Sequence, residues 1–409
     1  MLIKVSWIFE DNFYLCLIDM KRVNLLVTII LLVVMTGCGR NQPTDDIVTV
    51  DVTKSYPEKK LNLQDFMGVE YIALETTDEF LTQGRVMDIG KENILISNRN
   101  RDGDIFIYDR TGKGLRKINR MGRGPEEYMF AYSIVLDEDN NEIFVHDYSP
   151  SKILVYDLYG KYKRSLQYND NDEALRYNVI HNYDRDHLIC YDATGNYYEE
   201  RSFCHAIVSK QDGSVIRKIQ IPFKEKKSTM IRIQEGDVTF AALVPFQSML
   251  PFQYQWILAQ PSSDTIYRYL PDYSMIPFLV RTPSIHSMNP EVFLSIELIT
   301  EHYYFLTVSE KVGKMTSSGT MVISETSLMY DRKEKALFKY VVYNGDFSNE
   351  KEVSINSGPV NNEIAACRSL EADQLVEAYK KGQLKGNLKE IAATLDEKDN
   401  PVIMLIKYK

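Results

Sequence analysis

The stretch MGRGPEEY, residues 121–128, concentrates residue types that bind small polar ligands. The planar guanidinium of Arg123 could grip a carboxylate or a sulfate, and the ring of Tyr128 could stack on a sugar. Arg120 and Glu127 would tune the charge around them. The same stretch also suits a crossover between strands, because its glycines allow positive φ, its proline restricts the chain and Tyr128 could pack inside. Our candidate binding residues are Arg120, which directly precedes the stretch, and Arg123, Glu127 and Tyr128 within it. A purely structural role for them stays open.

Signatures of catalysis and of metal binding do not stand out along the chain. The segment NRNRDG, residues 98–103, spaces its oxygen side chains like a calcium loop, but the same residues are typical of a hairpin turn. No nucleophile elbow, Walker loop or dinucleotide-binding glycine motif occurs, and the histidines lie near no paired cysteines. We predict no metal and no cofactor. A pair of catalytic carboxylates from distant segments stays open.

The N-terminus has the features of an export signal. The basic pair Lys21-Arg22 precedes an apolar run, residues 23–35, that is too short to span a membrane as a helix. Small residues then lead to Cys38, in a pattern similar to a bacterial lipobox, where the cysteine becomes lipidated. An ordinary signal peptide and an uncleaved anchor are the alternatives. We predict a signal peptide over residues 1–37 with the true start at Met20, and a lipidated tether over residues 38–46.

The charge balance argues against a nucleic-acid partner. The 409 residues include 57 acidic and 48 basic side chains, for a formal net charge of -9. Phosphate contacts need clustered lysine and arginine, and no basic stripe is hidden inside the acidic total. An exported protein also lies in an oxidising compartment, so Cys190 and Cys204, which flank the turn DATGNYYEE, could form a disulfide. Two buried free thiols are the alternative, since a large β core needs no staple.

Short strands fill most of the chain. Runs such as NILISN, EIFVHD and ILVYD are rich in Ile, Val, Phe and Tyr and are bounded by Gly, Asp or Asn. One pattern repeats, because IFIYDRTGK ends at Lys113 and ILVYDLYGK ends at Lys161, 48 residues later. A period of about 40 to 50 residues with several strands per unit indicates propeller blades. We expect Tyr108-Asp109 and Tyr156-Asp157 in this repeat to pack and turn the blades.

Residues 122–161, from GRGPEEY to ILVYDLYGK, resemble a degenerate NHL-type propeller repeat. Together with the lipobox, the repeat resembles the six-bladed β-propeller lipoproteins common in Bacteroides-type bacteria, in which a similar GRGP-x-E-Y loop enters the second blade. The match is good over roughly residues 84–168 and vague afterwards. The resemblance implies a propeller that is lipid-anchored in the cell envelope, and it implies no reaction.

The strand pattern is compatible with six blades. Segments near both ends, IVTVDV and VEYIAL before the first blade and PVIMLIKY at the end, would build a sixth blade and close the ring. Short helices are expected after Ser369, after Asn387 with Glu390 completing a capping box, and after Asn289-Pro290. The predicted class is all-β, a six-bladed propeller over residues 47–409. Five blades are expected near residues 84–120, 131–168, 176–222, 238–280 and 300–345.

Two functions from different classes remain. The first is a membrane-tethered, non-catalytic binding propeller whose partners are the membrane, through its lipid, and a glycan, a peptide or an envelope protein. The second is a polysaccharide lyase or hydrolase with its site in the propeller funnel, which rests on analogy between folds. The absence of a catalytic signature favours the first.

Overall fold

The computed structural model describes residues 47–409, except for residues 99–101, 148–151, 168, 171–172, 175–176, 194–202, 236–237, 317–320 and 356–360. The predicted signal peptide, Cys38 and the tether lie outside the described residues. The described residues form a six-bladed β-propeller with three short α-helices, two of them near the C-terminus. This confirms the predicted fold class. None of the described helices is long and apolar enough to cross a membrane.

Three strands precede the first blade, and each of them joins a different sheet later in the chain. They are β1 (Val48–Asp51), β2 (Glu58–Asn62) and β3 (Gly68–Ala73), with helix α1 (Leu63–Phe66) between the last two.

Blades 1 to 3 are four-stranded antiparallel sheets in chain order. Blade 1 contains β4 (Arg85–Ile89), β5 (Asn93–Ser97), β6 (Asp104–Asp109) and β7 (Gly114–Asn119). Blade 2 contains β8 (Ala131–Asp137), β9 (Glu142–Asp147), β10 (Lys152–Asp157) and β11 (Tyr162–Gln167). A small hairpin follows, β12 (Asn169–Asp170) and β13 (Glu173–Ala174). Blade 3 contains β14 (Val179–Asn182), β15 (His187–Tyr191), β16 (His205–Ser209) and β17 (Val215–Ile219).

Blades 4 and 5 carry a fifth strand on their outer edge. A hairpin, β18 (Met230–Glu235) and β19 (Val238–Leu243), precedes blade 4. Blade 4 contains β20 (Met249–Phe252), β21 (Gln255–Leu258), β22 (Thr265–Tyr269) and β23 (Met275–Thr282), which pairs in parallel with β1. A 3-10 turn (Ile285–Ser287) leads to blade 5, which contains β24 (Val292–Ile299), β25 (Tyr303–Met315), β26 (Met321–Asp331) and β27 (Ala336–Tyr343). The last of these pairs in parallel with β2.

Blade 6 combines strands from both ends of the chain. Its described strands are β28 (Ile364–Leu370), β29 (Val402–Lys407) and β3, and helices α2 (Ala372–Lys380) and α3 (Gly386–Ala392) lie between β28 and β29. The segment from β1 to β3 therefore passes along the outer edges of blades 4, 5 and 6 in turn. The run IVTVDV, which was expected in the sixth blade, instead contributes β1 to blade 4, while VEYIAL contributes β3 to blade 6.

One hydrophobic cluster fills each of the six gaps between neighbouring blades. Strand β5 shows why these strands read as continuous apolar runs. Its residues Ile94 and Ile96 pack toward blade 6, and Leu95 packs toward blade 2. Both faces of a blade are buried, so alternate side chains enter different cores and all of them are apolar.

The repeated Tyr-Asp pairs connect each blade to the loop that leads into it. Tyr108 and Tyr156 are buried, and their hydroxyls donate to the carbonyls of Phe80 at 3.3 Å and Glu126 at 2.7 Å. The Asp109 carboxylate accepts hydrogen bonds from the backbone of the turn that follows it. The pairs thus have the packing and turn roles that the repeat predicts.

The turn after the Tyr-Asp pair packs against the preceding blade. Gly112 has φ +89, and a Cβ there would lie 2.0 Å from the carbonyl oxygen of Ala73, at the end of β3. Gly160 has φ +79, and its Cβ would lie 2.8 Å from Ile118 in β7. Glycine is required in these turns both by the backbone conformation and by the close approach of the two blades.

Several predicted local details are wrong. The segment after Asn289-Pro290 forms the buried strand β24 rather than a helix, because its side chains fill both faces of blade 5. Ser369 lies in β28, where its hydroxyl bonds the carbonyl of Gly84, and the residue that caps α2 is Glu371. Helix α3 begins at Gly386, so Asn387 lies inside it and forms no capping box.

Strand β8, the first strand of blade 2, contacts the first strands of blades 1 and 3 near the propeller axis, and the backbone of a single residue, Leu136, bonds to both neighbours. The Leu136 N–H donates to the carboxylate of Asp88 in blade 1 at 2.7 Å. The Leu136 carbonyl accepts from the amide of Asn182 in blade 3 at 2.6 Å. The protein around Asp88 removes water from its carboxyl group and raises its pKa to about 7.

We predict that Asp88 makes stability depend on pH. Its pKa is higher in the folded chain than the ordinary value of 3.8, so its contribution is complete below about pH 4 and is lost as the pH rises through about 7. Relative to Asp88→Asn, the wild type should lose on the order of 1 to 3 kcal/mol of unfolding free energy across that window. Urea unfolding at a series of pH values measures this difference. Parallel pH profiles for the two proteins would contradict it.

Candidate functional site

A cavity of about 310 Å³ opens at the turns between the first and second strands of blades 4 and 5. Five segments that are distant along the chain line it, namely residues 65–67, 252–253, 300–302, 362 and 408–409. They come from the end of α1, from the two turns, and from the start of β28 and the end of β29 in blade 6. Clefts that several blades build together are suited to ligands.

The floor of the cavity is apolar and aromatic. Phe66 is buried, and its ring packs on Phe305 with ring centroids 5.6 Å apart. The rings of Phe252 and Tyr408 meet edge-on, with centroids 6.2 Å apart. Met67 is also buried and lines the same space. Such a floor favours a ligand with an apolar face, because burial of that face removes it from water.

The two turns that form the rim are held by hydrogen bonds. The hydroxyl of Thr300 accepts from the Tyr303 N–H at 2.8 Å, and Arg332 donates to the Glu301 carbonyl at 2.7 Å. In blade 4 the Tyr254 N–H donates to the side-chain oxygen of Asn362 at 3.0 Å. This bond fastens the turn of blade 4 to blade 6 across the cavity mouth, so the rim is preorganised.

Tyr408 supplies a polar group that the protein leaves unused. Its hydroxyl is shielded from solvent and has no hydrogen-bond partner among the described residues. Burial raises the pKa of Tyr408 above its ordinary value of 10, so the hydroxyl stays protonated at neutral pH. A buried hydroxyl without a partner costs stability. Because this hydroxyl is shielded from solvent, a ligand oxygen in the cavity would reach it only after the side chains that cover it move.

Exposed polar side chains of several kinds surround this floor. Glu301 and His302 occupy the turn of blade 5. Asp65 accepts from the Asn62 amide at 2.9 Å, and Lys409 donates to the Gln64 carbonyl at 2.5 Å. The rim therefore offers hydrogen-bond donors and acceptors and charges of both signs. Among the described residues, no group of three His, Cys, Asp or Glu side chains is placed to hold a metal ion.

The comparisons with known proteins give the family. A model described as "Domain of unknown function (DUF4934)" matches residues 47–407. The chain belongs to the DUF4934 family. No curated protein matches it.

Two solved structures are similar to this DUF4934 chain. One is a Bacteroides fragilis protein whose description proposes that it is exported, with a TM-score of 0.58 and 15% identity over 89% of this chain and 99% of that one. The other is a DUF4221 member from Bacteroides vulgatus, with a TM-score of 0.47 and 11% identity over 85% of this chain and 99% of that one. At this identity the first likeness concerns the fold alone, and the second adds no argument to it.

The loop MGRGPEEY lies away from the cavity, at the opposite end of the first strands. Tyr128 is fully buried, and its hydroxyl donates to the Gly103 carbonyl at 2.6 Å and accepts from the Arg120 N–H at 3.1 Å. The Arg120 guanidinium donates to the Gly160 carbonyl in blade 2 at 2.9 Å. These contacts make both side chains part of the scaffold of the DUF4934 propeller.

The other two residues of this loop differ from each other. Glu127 accepts from the Gly124 N–H at 2.8 Å and folds over Gly122, where a Cβ would lie 1.9 Å from its carboxylate. Glu127 therefore shapes the loop. Arg123 is exposed, and the structure does not bring it to the cavity.

The disulfide between Cys190 and Cys204 is not formed. Both thiols are buried, and neither is in a disulfide. Cys190 packs between blades 2 and 3, and Cys204 packs between blades 3 and 4, so the two side chains lie on opposite faces of blade 3. Burial also raises the pKa of the Cys190 thiol well above its ordinary value.

We predict that the loop MGRGPEEY responds to mutation as scaffold. Tyr128→Phe should lower the unfolding free energy by about 1 to 3 kcal/mol, because the buried ring loses both hydrogen bonds of its hydroxyl, to the partly buried Gly103 carbonyl and the Arg120 N–H. Arg123→Ala should change it by less than about 0.5 kcal/mol, because the side chain is exposed. Urea unfolding of both variants measures these effects. The scaffold assignment fails if Tyr128→Phe is as stable as the wild type.

Proposed function

We propose that this DUF4934 chain is a lipid-anchored binding propeller of the cell envelope, held in the outer membrane through Cys38, and that its ligand occupies the cavity of blades 4 to 6. The lipobox-like pattern and the NHL-like repeat support the location and the class of protein. The similarity to a protein that is described as exported agrees with them. The ligand is a glycan, a peptide or another envelope protein.

The observation that carries the binding role is the aromatic cavity itself, beneath whose surface the Tyr408 hydroxyl has no hydrogen-bond partner among the described residues. Preformed clefts with an apolar floor and a few polar groups are the usual form of a ligand site. The charged rim residues Asp65 and Lys409 are already bonded within the protein, Asp65 to the Asn62 side-chain amide and Lys409 to the Gln64 carbonyl. They are therefore better suited to hold a rim in place than to exchange protons with a substrate.

The lipid anchor has a direct test. We expect Cys38→Ser to move the full chain from the membrane fraction to the soluble fraction, because the acceptor thiol is lost. Asn41→Ser is the matched control, since it introduces serine into the predicted tether and keeps the Cys38 thiol. Ultracentrifugation and intact-mass measurement follow the two variants. Retention of Cys38→Ser in the membrane would instead favour an uncleaved anchor.

The binding role is tested at Tyr408. Probes that bind the full chain are first found on an array of immobilised oligosaccharides and with a hexapeptide library. Tyr408→Phe should then lower the affinity for the bound probe about threefold to tenfold, because it removes one hydrogen bond to the probe and keeps the ring against Phe252. Calorimetry gives the affinity, and thermal unfolding should show no loss of stability.

Tyr159→Phe is the control, because Tyr159 is an exposed tyrosine in blade 2 and does not line the cavity. It should leave affinity unchanged. If Tyr408→Phe and the wild type have equal affinity for the probe, the ligand does not bind at Tyr408. Cleavage of the bound oligosaccharide by the wild type would replace the binding role with the lyase or hydrolase alternative.

A further inference from the structure

Tyr254 is the most exposed large side chain of the described hydrophobic and aromatic residues, with 81% of its surface accessible. It follows Gln253, which lines the cavity, in the turn between β20 and β21. No hydrogen bond, ring contact or ion pair joins its side chain to the described residues. The fold therefore gains little packing from this ring. The backbone bond to Asn362, which lines the cavity, holds the turn beside the cavity mouth.

The turn that presents Tyr254 is strained. Gln253 has φ +49 and Tyr254 has φ +61, so two consecutive residues with a Cβ occupy the left-handed region. Two-residue hairpin turns of this kind normally carry asparagine, aspartate or glycine. A bulky aromatic residue is unfavourable there, and strain of this kind concentrates at functional sites.

The chemistry of the cavity favours a sugar over a peptide. A peptide commonly binds by adding a strand to an open sheet edge, whereas the rim consists of two short turns in which several backbone groups are already bonded. A sugar ring has an apolar C–H face that stacks on aromatic rings and hydroxyls that both donate and accept. The floor of Phe66 and Phe252, and the mixed donors and acceptors of the rim, match these two properties.

We propose that the cavity binds a neutral saccharide and that one of its sugar rings stacks on Tyr254. The amide of Gln253 lies beside the stacked ring, and the hydroxyl of Tyr408 donates to a sugar oxygen once the side chains that shield it move aside. This inference rests on the proposed binding function and names its ligand class. It also gives the strained turn a role, because the turn places an exposed aromatic ring next to Gln253, which lines the cavity.

The test combines stability with affinity for the oligosaccharide that the array identifies. Tyr254→Gly should raise the midpoint of thermal unfolding, because glycine accepts the left-handed backbone, and should weaken binding about tenfold. Tyr254→Phe should bind within about threefold of the wild type, because it keeps the stacking ring. Opposite changes in stability and affinity are not expected of a residue with only a structural role.

Tyr273→Gly is the matched control. Tyr273 also has positive φ, at +67, is 40% exposed and belongs to blade 4, but Arg217 covers its ring at 4.2 Å. This variant should leave affinity unchanged. Wild-type affinity in Tyr254→Gly overturns the stacking role. If the chain binds hexapeptides but no oligosaccharide, and Tyr408→Phe weakens that binding, the saccharide is the wrong ligand class and the binding function still holds. If Tyr408→Phe leaves the affinity for every probe unchanged, both the saccharide proposal and the proposed binding function of the cavity are wrong.

Discussion

The ring depends on one antiparallel pairing between strands from opposite ends of the chain. Strand β3 pairs with β29 over six residues, from Ala73 opposite Val402 to Gly68 opposite Lys407. Because β3 also leads directly into blade 1, this pairing connects the last blade to the first. Without it, β29 would expose an open sheet edge, and the clusters on both sides of blade 6 would each lose a wall.

The same closure builds the cavity. Phe66 and Met67 immediately precede β3, and Tyr408 and Lys409 immediately follow β29. The pairing of these strands therefore brings the floor residues together from positions more than three hundred residues apart in the 409-residue chain. Asn362, at the start of blade 6, then fixes the turn of blade 4 over the mouth. The site and the stability of the ring share their contacts, so a ligand in the cavity would also strengthen the closure.

The fold was largely predictable from the sequence, and the site was not. Apolar runs such as NILIS and the repeated Tyr-Asp pairs reflect local rules, because each blade needs two buried faces and a fixed turn. Strand β1 pairs with blade 4, and residues Val292–Ile299 form a strand, because of contacts with neighbouring sheets. A local sequence pattern does not reveal such contacts. The cavity is still further from prediction, since its residues lie in five separate segments. The consecutive residues Gln253 and Tyr254 between two strands were the one local signal, because a turn there would normally carry glycine or asparagine.

Regularity and function are separated in this propeller. The loop MGRGPEEY is rich in residues that suit a ligand, yet its side chains serve the repeat: Tyr128 packs edge-on against Tyr156 with ring centroids 6.2 Å apart, and the Tyr156 hydroxyl bonds the loop itself. Each of these contacts improves the scaffold. The opposite holds at Tyr254, because a side chain that makes no hydrogen bond or ring contact with the described residues is kept on a backbone conformation that disfavours it. A contact that stabilises the fold is accounted for by that stability. A residue that lowers stability needs another reason, and a binding partner supplies one. The cavity beside Tyr254 is where that partner would bind.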